Sequence, residues 1–507
     1  MRIVVWSAFI RSRRMELKQR LSQQLKESRD AFLRNPYPTY QKRLENLNKL
    51  ESLIKAHQAE IIYAIEQDFG TRSISETGLL ELFTSIETIR DAKKQLKKWM
   101  KPSHRHTSVW FFPAKNRVVP QPLGVVGVIV PWNYPLMLTI GPLVAALAAG
   151  NRVMLKMSQN SPHLAQLLVE LFEAQFNRDE VAIYADEAEM GPEFSKLKFD
   201  HLLFTGSTKT GRAVMQSAAN NLVPVTLELG GKSPVILDEK FDVKIALERL
   251  LGGKLYNCGQ TCIAPDYLFV PQSRLNEVVE TTKAIMAKRF RTIQHQDYTS
   301  IIDANAFERL THLLSDAKEK GAKLINCIPN SEPERGSRKL PFYLVTEVES
   351  DMAVMQEEIF GPILPIITYQ HIDEVFHYIA QRPRPLALYL FSEDKWIQKK
   401  FTQETLSGGL CINDVMLHVA QHDLPFGGVG ESGMGHYHGR EGFNTFSKLK
   451  PVMTQSRFAL TPLFYSPYSG FAKSILNVMI NRKIGNYESA IQQKLTSLLR
   501  IIGRDVS

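Results

Sequence analysis

Hydrophobic residues fall at helical spacing through roughly the first hundred positions. Leu17, Leu21 and Leu25 recur every fourth residue, and Leu44, Leu47, Ile54, Ile61 and Ile65 continue a second stripe beyond Pro36 and Pro38. This spacing gathers apolar side chains on one helical face, so residues 16–100 are predicted to be helical. After Pro102 the period changes. Residues 125–130, 153–155, 201–205 and 225–229 read as short buried strands, and residues 136–149, 162–176 and 209–219 between them read as helices. The middle helix is expected to open on Ser161 as N-cap with Pro162 in its first position. Strands that alternate with helices build a mostly parallel sheet covered by helices. A second series runs from Pro234 to about Phe426, so the fold class is α/β.

A chain of 507 residues is long enough for about three folding units, each with its own core. With 44% hydrophobic and 22% charged residues it has globular composition, which excludes wholesale disorder and a coiled-coil rod. Four cysteines in this length cannot form a secreted-type disulfide framework, so a reducing, cytoplasmic setting is expected.

The net charge of +10 is concentrated at the ends. Residues 1–14 carry +4 through Arg2, Arg11, Arg13 and Arg14, and residues 458–507 carry another +4, leaving +2 for everything between. A nearly neutral body offers no surface for tracking phosphates, which excludes nucleic acid as a partner. The apolar stretch 3–10 is too short for a secretion signal, and Met15 just beyond it is an alternative start. Residues 458–480 are interrupted by Pro462, Pro467, Gly470 and Lys473, so they do not make a bilayer span. Beyond them Ile491, Leu495, Leu498, Leu499 and Ile502 share one helical face of a basic tail. Packing against the body or a second subunit is the leading expectation for this face, with peripheral contact at a membrane surface the alternative.

Open α/β sheets bind ligands at the carboxyl ends of their strands, and a nucleotide is the default occupant. The usual glycine fingerprint is absent, and the run 230–233 fails as a P-loop because Thr226 stands where its first glycine belongs. The segment Phe204-Thr205-Gly206-Ser207-Thr208-Lys209-Thr210-Gly211 is a strand entering a glycine turn that opens a helix. Such a turn can present backbone N–H groups to a phosphate, although most βα turns do not. For chemistry, Cys262 in Asn257-Cys258-Gly259-Gln260-Thr261-Cys262 is a candidate nucleophile, which would need a base or positive field to become a thiolate. Glu228, inside the apolar run 225–231, is a candidate base, because an acid in a buried strand is costly without a task or partner. Two structural thiols and a paired glutamate satisfy the same residues equally well. No second ligand pair follows Cys258 and Cys262, so no metal site is expected.

Five segments resolve the ambiguity. Pro131-Trp132-Asn133-Tyr134-Pro135, Glu228-Leu229-Gly230-Gly231-Lys232, Gly259-Gln260-Thr261-Cys262, Glu357-Glu358-Ile359-Phe360-Gly361-Pro362 and Leu424-Pro425-Phe426-Gly427-Gly428 resemble the signature segments of the aldehyde dehydrogenase superfamily, in its order. The resemblance covers about residues 20–455. Residues 418–421 and 435–442 are most similar to the class 3 branch, especially its coniferyl aldehyde dehydrogenase-like members.

The resemblance implies a Rossmann-type cofactor domain, an α/β catalytic domain and a small oligomerisation arm. Their expected bounds are 20–101 with 122–228, then 229–430, then 102–121 with 431–457; residues 1–19 and 458–507 become a basic extension and a basic amphipathic tail. A homodimer is the expected assembly. It further implies that Cys262 attacks the aldehyde, that the Asn133 amide and the Cys262 N–H hold the oxyanion, and that Glu228 activates the hydrolytic water. Trp132, Lys156, Gln159, Gly206, Ser207, Gly211, Glu358 and Phe360 become cofactor contacts. One departure matters: Lys156-Met157-Ser158-Gln159 stands where the family usually has Lys-Pro-Ser-Glu. The missing carboxylate would repel a 2′-phosphate by about 4 kcal/mol at 4 Å and an effective dielectric of 20, so use of NADP beside NAD is expected. An apolar aldehyde, aromatic or medium-to-long chain, is the expected substrate, with a coenzyme-A-acylating enzyme the alternative.

The remaining histidines and cysteines carry less. His418 and His422 lack the glutamate of a zinc-protease motif, and His436 with His438 is expected to be structural or at a subunit contact. Cys327 and Cys411 read as packing residues, and Cys258 as packing or an oxidisable neighbour of Cys262.

Overall fold

A computed structural model describes residues 2–459 and 461–481, and side chains among them from residue 14 to residue 480. Two compact units emerge. The larger combines the chain up to Trp99 with Pro122–Ser447, and the smaller combines Met100–Gln121 with the chain from Lys448 onward.

The predicted helices are present at the amino end. A single helix, Arg2–Arg34, precedes Tyr40–Ala56, Gln58–Phe69 and Thr84–Trp99. The expected extension at 1–19 is corrected here, because the first helix crosses residue 19 without a break. Leu17, Leu21 and Leu25 are buried together in the hydrophobic cluster beneath the first sheet, and Arg14 pairs with Glu193 at 2.7 Å.

The first sheet has the strand order Gly433–Met434, Val225–Glu228, His201–Thr205, Val125–Ile129, Arg152–Lys156, Val181–Tyr184. Its five main strands are parallel, and Gly433–Met434 joins antiparallel at the edge. Val125–Ile129 is central; the chain builds outward on one side and then crosses to the other. The reversal places a crevice at the carboxyl ends of Val125–Ile129 and His201–Thr205, where such sheets bind ligands. A largely buried helix, Met137–Ala149, follows the central strand and ends on Gly150 at φ 94°, a left-handed cap that favours glycine.

A second sheet has the order Lys323–Asn326, Tyr343–Thr346, Ile363–Tyr369, Tyr267–Pro271, Pro234–Leu237, Ala387–Phe391, Gly409–Ile412. All pairs are parallel except the first. This agrees with the second series read from the sequence.

The smaller unit holds a three-stranded sheet of Ser103–Arg105, Lys115–Pro122 and Ser447–Thr454, and a helix Gly470–Asn481. Its second segment begins at Lys448, not at 431 as expected. Residues 431–447 stay in the larger unit because Gly433 and Met434 pair with Glu228 and Leu227, and Gly439–Thr445 packs on the helix Met137–Ala149. Phe471, Leu476, Val478 and Ile480 of the last helix are exposed. The apolar face expected at Ile491, Leu495, Leu498, Leu499 and Ile502 lies outside the described residues. Among those described, no helix is long and apolar enough to cross a membrane.

Candidate active site

The thiol is carried on an unusual turn. The helix Val243–Leu255 ends in a tight turn where Asn257, Cys258 and Gly259 have φ of 50°, 53° and 78°. Left-handed conformations at two non-glycine residues cost about 1–3 kcal/mol each and persist only under external restraint. The restraint is visible. Glu76 accepts the Asn257 N–H at 2.7 Å, and the Asn257 side chain donates to the Asn133 carbonyl at 2.9 Å. Gln260 Nε2 donates to the carbonyls of Asn257 (2.9 Å) and Ser300 (3.1 Å), while its Oε1 accepts the Ile302 N–H (2.9 Å). Cys262 follows, half-buried. Burial and then the carboxyls of Glu358 and Glu228 push its thiol up, while its own N–H and that of Ile263 favour the thiolate.

Asn133 reaches this turn from the end of the central strand. Its Nδ2 donates to the Gln260 carbonyl at 3.3 Å, and the Tyr134 hydroxyl meets Thr261 Oγ1 at 2.8 Å. Glu228 closes its own parallel strand opposite Gly433. Its side chain is 2% exposed, and neither carboxylate oxygen has a hydrogen-bond partner, so burial pushes its carboxyl well above the usual range. An acid in this state holds its proton more tightly than an exposed carboxyl does.

The structure distributes the expected cofactor residues unevenly. Ser207 caps the helix Thr208–Ala219, accepting the Thr210 N–H at 3.3 Å. A side chain at Gly206 would come within 2.6 Å of the Phe204 ring, so this turn requires a bare backbone. The bare turn and the helix N-terminus after it suit a pyrophosphate. Gly211 is buried on the helix face toward the sheet, where a Cβ would come 2.5 Å from Leu229. It permits close packing of the helix on the sheet. Trp132 meets Phe360 edge-on with ring centroids 5.5 Å apart, and Phe360 holds φ 52°. Glu358 leaves Oε1 buried without a partner, and burial raises its carboxyl to about 8. Its loop is pinned from behind by Arg309, which donates to the carbonyls of Glu358 (3.2 Å) and Ile359 (2.6 Å), and by Asp266, which accepts the Ile359 N–H (2.9 Å).

Lys156 brings a residue that the sequence reading missed. Its Nζ lies 2.7 Å from Asp186 Oδ1, while Gln159 is exposed. Asp186 stands just past the carboxyl end of the strand Val181–Tyr184, the position at which a parallel sheet usually presents ligand contacts, and that position was the available signal. Arg72, Glu76 and Asn257 were missed too; the contacts that tie them to Asn133 and to one another across segments are distant in sequence and left no local pattern.

Cys262 and Asn133 open on a cavity of about 370 Å³ with a mostly apolar lining that includes Phe83, Met137, Val144 and Phe426. It runs between the helices Thr84–Trp99 and Met137–Ala149. Glu81 accepts the N–H groups of Leu136 and Met137, both at 2.9 Å, so the two helices begin side by side near Asn133. Residues further along them therefore form the far end, where Glu87 and Asp91 also line the cavity. His438 lines it as well; it stacks on Phe426 at 5.0 Å, a packing role within the structural half of the expectation, and burial lowers its imidazole to about 3. His418 sits in a short turn, Leu417–Ala420, and shares no α-helical face with His422. Among the described residues no cluster suits a metal ion. Cys258 is buried beside Tyr298, which holds it by a hydrogen bond, and its thiol is pushed up to about 12; a protonated, enclosed sulfur is a poor redox partner.

The first sheet's ligand crevice, a thiol, an amide donor and a buried carboxyl without a hydrogen-bond partner define an α/β protein with an enzyme-like site. Residues 14–452 match the model of the "Aldehyde dehydrogenase family". The chain is 50% identical over 462 residues to a protein named "Probable coniferyl aldehyde dehydrogenase" from Pseudomonas aeruginosa, covering 91% of this chain and 96% of that one. It superposes on a substrate-bound AldH of Staphylococcus aureus with TM-score 0.85 and 37% identity, covering 90% and 99%. An NAD+ complex of aldehyde dehydrogenase from Bacillus cereus matches with TM-score 0.78 and 26% identity, covering 87% and 89%. This chain belongs to the aldehyde dehydrogenase family.

Proposed function

We propose that this protein oxidises apolar aldehydes, aromatic ones foremost and medium-to-long aliphatic chains among them, to carboxylic acids with NAD or NADP. The observation that carries this reading is one apolar cavity onto which both Cys262 and Asn133 open. Its volume, about 370 Å³, lies in the usual range for a small organic ligand. The name borne by the Pseudomonas relative supports a phenolic phenylpropenal within this class.

Cys262 Sγ adds to the aldehyde carbon, and its proton passes to solvent or to Glu228. The oxyanion forms beside the Asn133 amide and the Cys262 N–H, donors already fixed before reaction. NAD(P), when bound, accepts the hydride that the thiohemiacetal carbon loses. The thioester left on Cys262 is hydrolysed by water that gives its proton to Glu228, which needs no other partner to be displaced first. Gly206, Ser207, Lys156, Glu358, Phe360 and Trp132 would hold the cofactor. Gln159 brings no charge against a 2′-phosphate, whereas Asp186 competes for Lys156; dual cofactor use follows if the phosphate displaces Asp186 from that lysine.

The test is formation of reduced nicotinamide with benzaldehyde, cinnamaldehyde, hexanal, decanal and succinic semialdehyde, using each cofactor without coenzyme A. Turnover by the wild type that vanishes in Cys262→Ala supports the reading. Turnover only after coenzyme A is added would transfer the assignment to an acylating enzyme, which the unpartnered Glu228 argues against.

We further propose a cytoplasmic homodimer. The smaller unit exposes Trp110, Phe111, Leu449 and Met453, a set of apolar side chains suited to a subunit contact, and the basic tail offers peripheral membrane contact as the alternative use of the end of the chain. Sedimentation equilibrium and co-sedimentation with anionic vesicles test the two.

A further inference from the structure

We propose that Arg72 is a positioning residue for the oxyanion site: its buried guanidinium grips the Asn133 carbonyl and locks the Asn133 turn to the turn that carries Cys262. The proposal rests on the reading of Cys262 as nucleophile and Asn133 as oxyanion donor.

Arg72 lies between the helices Gln58–Phe69 and Ile74–Thr77 and is 1% exposed. Burying an arginine is costly unless its charge and donors are matched. Its Nη1 donates to the Asn133 carbonyl at 3.0 Å and lies 3.1 Å from Glu81 Oε1. Its Nε is 3.8 Å from Glu76 Oε1, and the guanidinium lies between the rings of Phe69 (4.6 Å) and Tyr134 (5.0 Å).

The two acids do more than neutralise it. Glu81 Oε2 accepts the N–H groups of Leu136 and Met137, which fixes the chain three and four residues after Asn133. Glu76 accepts the N–H of Asn257, whose side chain is the second donor to the same Asn133 carbonyl. Tyr134, which packs on the guanidinium, is hydrogen-bonded to Thr261 beside the nucleophile. Apart from the Phe69 ring, every partner of Arg72 thus lies on the Asn133 turn or leads to the Cys262 turn. A charge cluster serving stability alone has no reason to be so placed. The Asn133 Nδ2 contact with the Gln260 carbonyl is long, 3.3 Å, which leaves the amide able to serve an oxyanion as long as its backbone is held from behind.

The experiment compares wild type with Arg72→Lys, Arg72→Met and the double variant Arg72→Met with Glu81→Gln, in which the nearer acid is not stranded by loss of the cation. Three quantities are read: the single-turnover burst rate at saturating cinnamaldehyde, the aldehyde KM, and NAD affinity by tryptophan fluorescence. Positioning predicts a burst rate lowered about tenfold or more in both methionine variants, with NAD affinity unchanged and partial recovery in Arg72→Lys. A wild-type burst rate in the folded double variant, or parallel losses of burst rate and NAD affinity, overturns the proposal. Failure of the dehydrogenase reading is distinct, since wild type itself would then show no burst.

Discussion

Asn133 Nδ2 donates to the carbonyl of Gln260, two residues before Cys262, and so bridges the end of the central strand and the turn carrying the thiol. The donor proposed for the oxyanion is also a strut of the site. Replacing Asn133 with alanine should lower kcat by about 10²–10³, the usual cost of one oxyanion donor. Stopped-flow measurement of the burst would show the loss in the first chemical step and not in cofactor binding.

Glu228 separates the two halves of the reaction. Glu228→Gln should retain a burst of reduced nicotinamide but slow steady-state turnover by about 10²–10⁴. Burial raises the folded-state pKa of this acid, so the deprotonated base becomes more abundant as pH rises. Wild-type deacylation should therefore accelerate with increasing pH, and the glutamine variant should lose that dependence. A variant with no burst at all would place Glu228 in acylation instead.

Cofactor choice is expected to turn on residues 159 and 186. Gln159→Glu adds a negative charge on the Lys156 side of the crevice and should shift the kcat/KM ratio toward NAD by about tenfold, screened by exposure and salt. Asp186→Asn frees Lys156 and should shift the ratio toward NADP. Opposite shifts in the two variants, measured at one ionic strength, would support control by this pair; no shift in either would remove Asp186 from cofactor selection.

At the far end of the cavity, Asp91 lies seven residues beyond Thr84, about 10 Å further along its helix. A carboxylate there can accept a hydrogen bond from the phenol of coniferyl aldehyde and should repel an aldehyde ending in a carboxylate. Asp91→Ala is expected to lower kcat/KM about tenfold for coniferyl aldehyde, in line with loss of one charged hydrogen bond, while cinnamaldehyde changes little. Equal loss for both substrates would assign Asp91 to packing.

Acid should remove the stability contributed by three buried histidines before most carboxylates titrate. Burial lowers His201 and His418 to about 4 and His438 to about 3, against an ordinary 6.5. Below pH 6.5 the unfolded chain takes up protons that the folded chain refuses, so stability present at neutral pH is lost as pH falls toward 4. His201 alone accounts for about 3 kcal/mol over that range. Burial of Glu228 and Glu358 acts in the opposite sense, so the histidine effect is read as a difference: the melting temperature of wild type minus that of His201→Asn should fall from pH 7.5 to 4.5.

The sequence by itself determined the alternation of strands and helices, both parallel series and the segments carrying Cys262, Glu228 and Asn133. These are local properties: hydrophobic period sets element type, and short motifs are contiguous in the chain. Charge change at the amino end was a poor boundary marker, because the buried stripe through Leu17, Leu21 and Leu25 belongs to a helix that begins earlier. Tertiary structure alone decided that Gly211 serves packing, that Asp186 meets Lys156, that His438 lines the cavity, and that Arg72 meets Asn133 across 61 positions. Such contacts arise when distant segments are folded together and their buried polar groups must find partners, and no local pattern in the chain encodes which partner each will find.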